Sequence, residues 1–248
     1  MTNTTEQAIE ITTPDGISDG YLYSTPGEPK PGVICLPDIG GIRDSIRQMA
    51  QRVAAAGYSV FLVNPFYRTS RTPLFSFKVV FGEERTMKRL GELAGPLTPE
   101  AIARDASAYV DFVSTHESVK DGPLGVVGYC FTGGVALRYA AARPDKIAAV
   151  ASFHGGRLYT DAPTSPHHVL PDVKARLYFA HADKDNSMPE AAIQKLDAAL
   201  ASWGGKYESE LYAGAAHGWT HPDGAVYNPE AAERAFKKLT ELFAAELR

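Results

Sequence analysis

Short apolar runs rich in small and β-branched residues recur along the chain, at 32–37 (GVICLP), 58–64 (YSVFLVN), 123–129 (PLGVVGY), 147–153 (IAAVASF) and 175–181 (ARLYFAH). A more polar run of the same length, KYESELY, follows at 206–212. Longer segments of helical period separate them. Buried strands alternating with helices predict a mostly parallel sheet covered by helices on both faces. Two further strand-like stretches, 7–12 and 19–24, flank TPDG, whose glycine suits a tight turn, so the chain opens with a hairpin. Eight strands are expected. Two helix starts are marked: Thr98-Pro99-Glu100 and Asn228-Pro229-Glu230 each put a capping side chain before a proline at the first helical position.

Residues 65–97 break this rhythm, because the stretch is too long for an ordinary connection and mixes aromatic with basic side chains. It reads as a lid-like excursion over a pocket, since long loops in compact domains usually serve function. At 248 residues, the chain 1–248 is expected to be a single domain. A net charge of -4 without long single-sign blocks argues against a nucleic-acid partner and for a small molecule. The polar N-terminus lacks a signal-like apolar segment, and no run approaches the ~18 apolar residues of a spanning helix. A cytoplasmic protein with no membrane partner is the expectation. Two cysteines, Cys35 and Cys130, do not make a disulfide framework, so both thiols are expected to be free.

Cys130 lies in GYCFTGG, at the point where a buried strand turns directly into a helix. That is where a nucleophile elbow lifts one side chain clear of the sheet, with the helix N-terminus aimed at it. A cysteine suits the position because a helix N-terminus and a neighbouring imidazolium favour the reactive thiolate. Cys35, inside GVICLP, reads as core. The acid and base should follow later in the chain. Asp185 stands just past the strand ARLYFAH and four residues before Pro189, whereas Asp183 and Lys184 suit an exposed turn. His217, in the small-residue loop AGAAHGWTHPDG, comes first after the last strand; His221 suits a surface or pocket rim. The N–H groups of Phe131, after the nucleophile, and of Ile39, in the PDIGG loop, are the expected oxyanion donors. His154 follows a strand toward the same sheet edge and is a pocket candidate, as is Tyr129 beside the nucleophile. His167 and His168 lack ligand spacing, so no metal site is expected.

With GYCFTGG, Asp185 to Pro189 (DNSMP), the His217 loop and PDIGG with its following Arg47, the chain resembles the dienelactone hydrolase (carboxymethylenebutenolidase) family of α/β-hydrolases across nearly its whole length. The resemblance implies an α/β-hydrolase fold, a Cys130–Asp185–His217 triad and hydrolysis of a lactone or carboxylic ester without cofactor or metal. It also implies that an acidic residue at position 38, here Asp38 rather than the family's glutamate, helps generate the thiolate. Family members acting on dienelactone hold its carboxylate with arginines. The position four residues after the histidine is His221 here, and Arg68, Arg71, Arg85 and Arg89 are available in the excursion, Arg68 and Arg85 being taken as candidates. Other readings remain open at this point: a non-catalytic ligand-binding or redox-sensing domain, and a thioesterase or acyltransferase.

Overall fold

The computed structural model describes residues 4–247. The hairpin pairs β1 (Thr5–Thr13) with β2 (Gly16–Ser24). Six more strands follow among the described residues: β3 (Gly32–Leu36), β4 (Ser59–Val63), β5 (Leu124–Tyr129), β6 (Ile147–Phe153), β7 (Arg176–Lys184) and β8 (Tyr207–Ala216). The α-helices are α1 (Asp44–Ala55), α2 (Glu84–Ala94), α3 (Pro99–Ser114), α4 (Phe131–Ala142), α5 (Glu190–Trp203) and α6 (Pro229–Glu246). The strands form one sheet in the order β1-β2-β4-β3-β5-β6-β7-β8. The β1–β2 and β2–β4 pairs are antiparallel and the rest parallel.

Every residue of β3, β4 and β5 is buried, which explains why these strands read as unbroken apolar runs rather than as alternation. The two-residue period instead divides their side chains between two cores. Val33, Cys35, Val60 and Leu62 pack with Ile46 and Val53 of α1 and Leu239 and Phe243 of α6. Ile34, Leu36, Phe61 and Val63 pack with Tyr109 and Val110 of α3 and Val135 and Leu137 of α4. Each such side chain contributes roughly 1.5–3 kcal/mol on burial. Cys35 belongs to the first core, and burial pushes its thiol up to about 12. Both marked helix starts are capped: Thr98 Oγ1 accepts from Ala101 N–H at 3.2 Å and Asn228 Oδ1 from Ala231 N–H at 3.1 Å.

Two local readings change. β7 and β8 run further than the apolar pattern suggests, because β-pairing is a backbone matter and continues through polar residues at the sheet edge. Asp183 and Lys184, expected in a turn, lie in β7; Lys184 pairs with Ala216, and Asp183 Oδ2 accepts from Gly214 N–H at 2.9 Å. The stretch 65–97 is turns followed by α2, a helix the sequence reading did not place. Its start is pinned to α3. Arg68 donates to Asp105 Oδ2 and Oδ1 at 2.7 and 2.8 Å and also pairs with Asp15, while Tyr67 Oη donates to Asp105 Oδ1 at 2.8 Å. Asp105 is wholly buried, and a buried ion pair that loses one partner leaves an uncompensated charge. Asp105→Ala should therefore lower the unfolding free energy by about 3–5 kcal/mol in urea titrations. No helix among the described residues is long and apolar enough to cross a membrane.

Candidate active site

The elbow is built by steric necessity. At Cys130 the backbone turns into the left-handed region, φ 56°, between β5 and α4. Non-glycine residues rarely adopt this conformation, and it costs on the order of 1–3 kcal/mol unless the surroundings impose it. Here Cys130 N–H donates to Phe153 O at 3.0 Å, and Cys130 O accepts from Gly133 and Gly156 N–H at 3.1 and 3.2 Å. A Cβ at Gly128 would stand 2.3 Å from the Thr132 carbonyl oxygen, so only glycine lets the helix pass this close to the strand. Thr132, two residues after Cys130, is a staple. Its buried hydroxyl accepts from Tyr129 N–H at 3.0 Å and lies 3.1 Å from Leu36 O, tying the ends of β5 and β3 together.

Asp185 and His217 meet through strand register. Lys184 pairs with Ala216, so the next residue of each strand emerges beside the other, and His217 N–H donates to Lys184 O at 3.2 Å. Asp185 Oδ2 lies 2.6 Å from His217 Nδ1. The other carboxylate oxygen accepts from Ser187 N–H at 2.8 Å and Ser187 Oγ at 2.6 Å. Burial opposes charge on both groups but loses to these contacts. Asp185 is held below its ordinary value by His217 and Ser187. His217, despite the same penalty, is raised to about 10 by its hydrogen bonds to Asp185 and Cys130 and by their charges.

The PDIGG loop and the His217 loop are clamped by a side chain the sequence reading did not single out. Arg43, just before α1, donates to Asp38 Oδ1 and Oδ2 at 2.6 and 3.0 Å and through Nε to Asp223 Oδ2 at 2.7 Å. Asp38 is thus gripped by a bidentate fork, with His221 Nε2 3.1 Å from its Oδ2. His221 is buried rather than at a rim, and burial lowers its affinity for a proton. His154 lies behind the site, wholly buried, with its ring centroid 5.2 Å from that of His217 and Nε2 2.8 Å from Thr220 Oγ1. Burial, then the nearby His221 and His217, holds it well below its ordinary value.

Cys130, Phe131, Ile39 and His217 line one cavity of about 680 Å³, walled by Met87 and Leu90 of α2. Tyr129 does not join them. As the last residue of β5 it packs with Val127 on the α1 and α6 side of the sheet and lines a smaller cavity of about 200 Å³ there. Arg68 is consumed by Asp105 and Asp15, and the Arg85 guanidinium lies over the Phe77 ring at 3.8 Å; neither lines the Cys130 cavity. Arg47, quoted with PDIGG, pairs with Glu6 and Asp44. Ser187 had a legible signal, an Asp-x-Ser turn; Arg43 had none, because its two partners come from loops far apart in sequence.

A parallel sheet with an antiparallel hairpin, a strained strand-to-helix elbow carrying Cys130, and a carboxylate–imidazole pair on the next loops define a protein of the α/β-hydrolase class. The chain belongs to the dienelactone hydrolase family, whose model matches residues 18–247. It is 29% identical over 221 residues to a candidate carboxymethylenebutenolidase of Synechocystis sp., covering 88% of this chain and 87% of that one. It superposes on the crystal structure of a candidate dienelactone hydrolase of Klebsiella pneumoniae with a TM-score of 0.86 at 20% identity, covering 98% and 99% of the two chains. A dienelactone hydrolase structure from Anabaena variabilis superposes at 0.68 with 18% identity over 99% of both chains.

Thr132→Val should lose the staple and cost about 1–3 kcal/mol in chemical denaturation, since it strands the Tyr129 N–H in a buried position. The His217 shift fixes a pH dependence. Its folded value lies above the unfolded 6.5, so the stabilisation it contributes is complete below about pH 6.5 and disappears as pH rises through about 10. Asp185→Asn removes the main raising contact. NMR titration of the His217 ring should then give a midpoint below about 10, and the loss of stability toward alkaline pH should flatten.

Proposed function

We propose that the protein hydrolyses a lactone or carboxylic ester through a covalent acyl intermediate on Cys130, with His217 as acid and base and Asp185 as its orienting partner. The observation that carries this reading is the 2.6 Å contact of Asp185 with His217, whose imidazole lines the same cavity as Cys130 at the elbow. The names of the family and of its relatives point to the same reaction class.

The steps follow from the protonation states. A histidine raised to about 10 is an imidazolium at neutral pH and favours thiolate beside it. The thiolate attacks the carbonyl carbon, and the negative charge moves to the carbonyl oxygen. The N–H groups of Ile39 and Phe131 are the candidate donors to that oxyanion. Phe131 opens α4, where the first N–H groups have no intrahelical acceptor. Collapse of the tetrahedral adduct breaks the carbon–oxygen bond, and the leaving alkoxide takes its proton from His217. Acylation turns the sulfur into a neutral thioester. The imidazole, left neutral once it has protonated the alkoxide, then takes a proton from the incoming water as that water attacks the thioester carbonyl. Collapse of the second adduct releases the carboxylic acid and restores the thiolate.

Cys130→Ala should reduce hydrolysis of nitrophenyl acetate by about 10³-fold or more while circular dichroism and thermal midpoint stay close to wild type. Trapping with a slow ester should add the acyl mass to wild type and not to the variant. Turnover by Cys130→Ala at the wild-type rate would remove the proposal.

A further inference from the structure

Residues 81–102 form one side of the Cys130 cavity, and every residue they place on its wall is apolar or glycine, Phe81, Leu90, Leu97 and Ile102 among them. The polar lining comes from other elements, chiefly Arg138 of α4 and the loops after β6, β7 and β8. The apolar side follows from the sequence of α2. Met87, Leu90, Gly91 and Ala94 stand at i, i+3, i+4 and i+7 and so share one helix face, and that face lines the cavity. Leu93, on its flank, is fully buried in the core.

The apolar stripe of a globular helix is ordinarily covered by protein. Here part of it lies open. Met87 is 52% exposed, and Phe81, which lines the same cavity, is 70% exposed. A Cβ at Gly91 would meet no atom within 4 Å, so the stripe faces open space at its middle. Large apolar side chains grouped at a cavity mouth, unlike singly scattered ones, mark a surface that binds something apolar. The chemistry of the site says which part of an ester that is. His217, which protonates the leaving group in the mechanism above, stands on the polar side, its Cε1 3.7 Å from the Cβ position at Gly156 in the loop after β6. Ile39 belongs to, and Phe131 packs against, the apolar cluster that holds Leu97 and Ile102. The acyl group, whose carbonyl oxygen these two residues would receive, is therefore the part that meets the apolar wall.

We propose that the substrate is an ester or lactone whose acyl group carries an extended apolar chain, laid along the α2 stripe from Cys130 toward Phe81 and Met87. The stripe from Met87 to Ala94 is about 10 Å long at the α-helical rise, the reach of an extended chain of about eight carbons. A cavity of about 680 Å³ accommodates such a chain together with the reacting carbonyl. This assignment rests on the reading of Cys130 as the ester-cleaving nucleophile and adds to it the class of acyl group.

The test is a series of nitrophenyl esters from acetyl to octanoyl, each below its micellar concentration, on wild type and Gly91→Leu. In wild type kcat/KM should rise about twofold to fourfold per added methylene, and a flat or falling series overturns the proposal. Leucine at the open Gly91 position meets no backbone and improves helix propensity, so the fold should persist while the wall is filled. Gly91→Leu should lower the octanoyl value by about tenfold and leave the acetyl value within about twofold. Equal effects on the two esters, or no effect, overturn the proposal. Methyl hexanoate should be cleaved faster than its isomer pentyl acetate, and an equal or reversed order overturns the placement of the acyl group. Loss of all these activities in Cys130→Ala keeps the nucleophile reading standing whichever way the series falls. If no ester is cleaved, that reading fails instead, and fluorescence of the neutral probe N-phenylnaphthylamine with Cys130→Ala decides the apolar site. Enhanced emission that methyl octanoate displaces, with displacement about tenfold weaker after adding Gly91→Leu, upholds the site; absent enhancement or unchanged displacement overturns it.

Discussion

The contact on which this structure turns is the 2.6 Å hydrogen bond between Asp185 and His217, made where burial works against charge on both partners. A surface pair of this kind would contribute little, because water screens it. Here the aspartate side chain is almost wholly buried and doubly held by Ser187, so the carboxylate stays ionised and its field acts on the imidazole. The bond is placed by backbone pairing rather than by the side chains themselves. After a register shift beyond the Ala182–Tyr212 pair, the pairing of Lys184 with Ala216 delivers Asp185 and His217 to the same point. A register slip of one residue would turn both away.

The other half of the arrangement is paid for in local strain. Cys130 occupies a conformation that glycine would adopt more readily, yet glycine carries no sulfur. The cost is absorbed by the frame around it: the close pass of α4 over Gly128, the Thr132 hydroxyl joining β5 to β3, and the carbonyls and N–H groups of neighbouring strands that take up the Cys130 backbone. The same frame starts α4 at Phe131, which lines the cavity that Cys130 shares with Ile39 and His217. Arg43 then ties the loop bearing Ile39 to the loop bearing His217 through Asp38 and Asp223. Thiol, imidazole and candidate donors are therefore parts of one mechanically linked unit.

A second pattern concerns positive charge. Most arginines of the chain are neutralised by acids that fold against them, including Arg68, which the sequence offered as a substrate anchor. A cation that carries its own buried carboxylate is poorly suited to recruit another. Which arginines are claimed in this way depends on the acids that the fold brings near, not on where arginine occurs in the chain.

Much of the fold was legible because its signals are local. Fully buried strands must be apolar throughout, helix starts need capping side chains, and a glycine-flanked cysteine at a strand end marks an elbow; from these the sheet, its helices and the positions of Cys130, Asp185 and His217 follow in one dimension. The last polar steps of β7 and β8 were hidden because edge pairing needs no apolar side chain, and α2 was hidden inside an aromatic, basic stretch. What only the tertiary structure decided is which groups meet. Tyr129 was sent to the far side of the sheet by strand alternation, Asp38 was claimed by Arg43, and His154 and His221 were packed into the interior. Spacing along a chain fixes the conformations available to each segment, whereas the charge state and partners of a side chain are set by neighbours that arrive from distant segments only when the sheet closes.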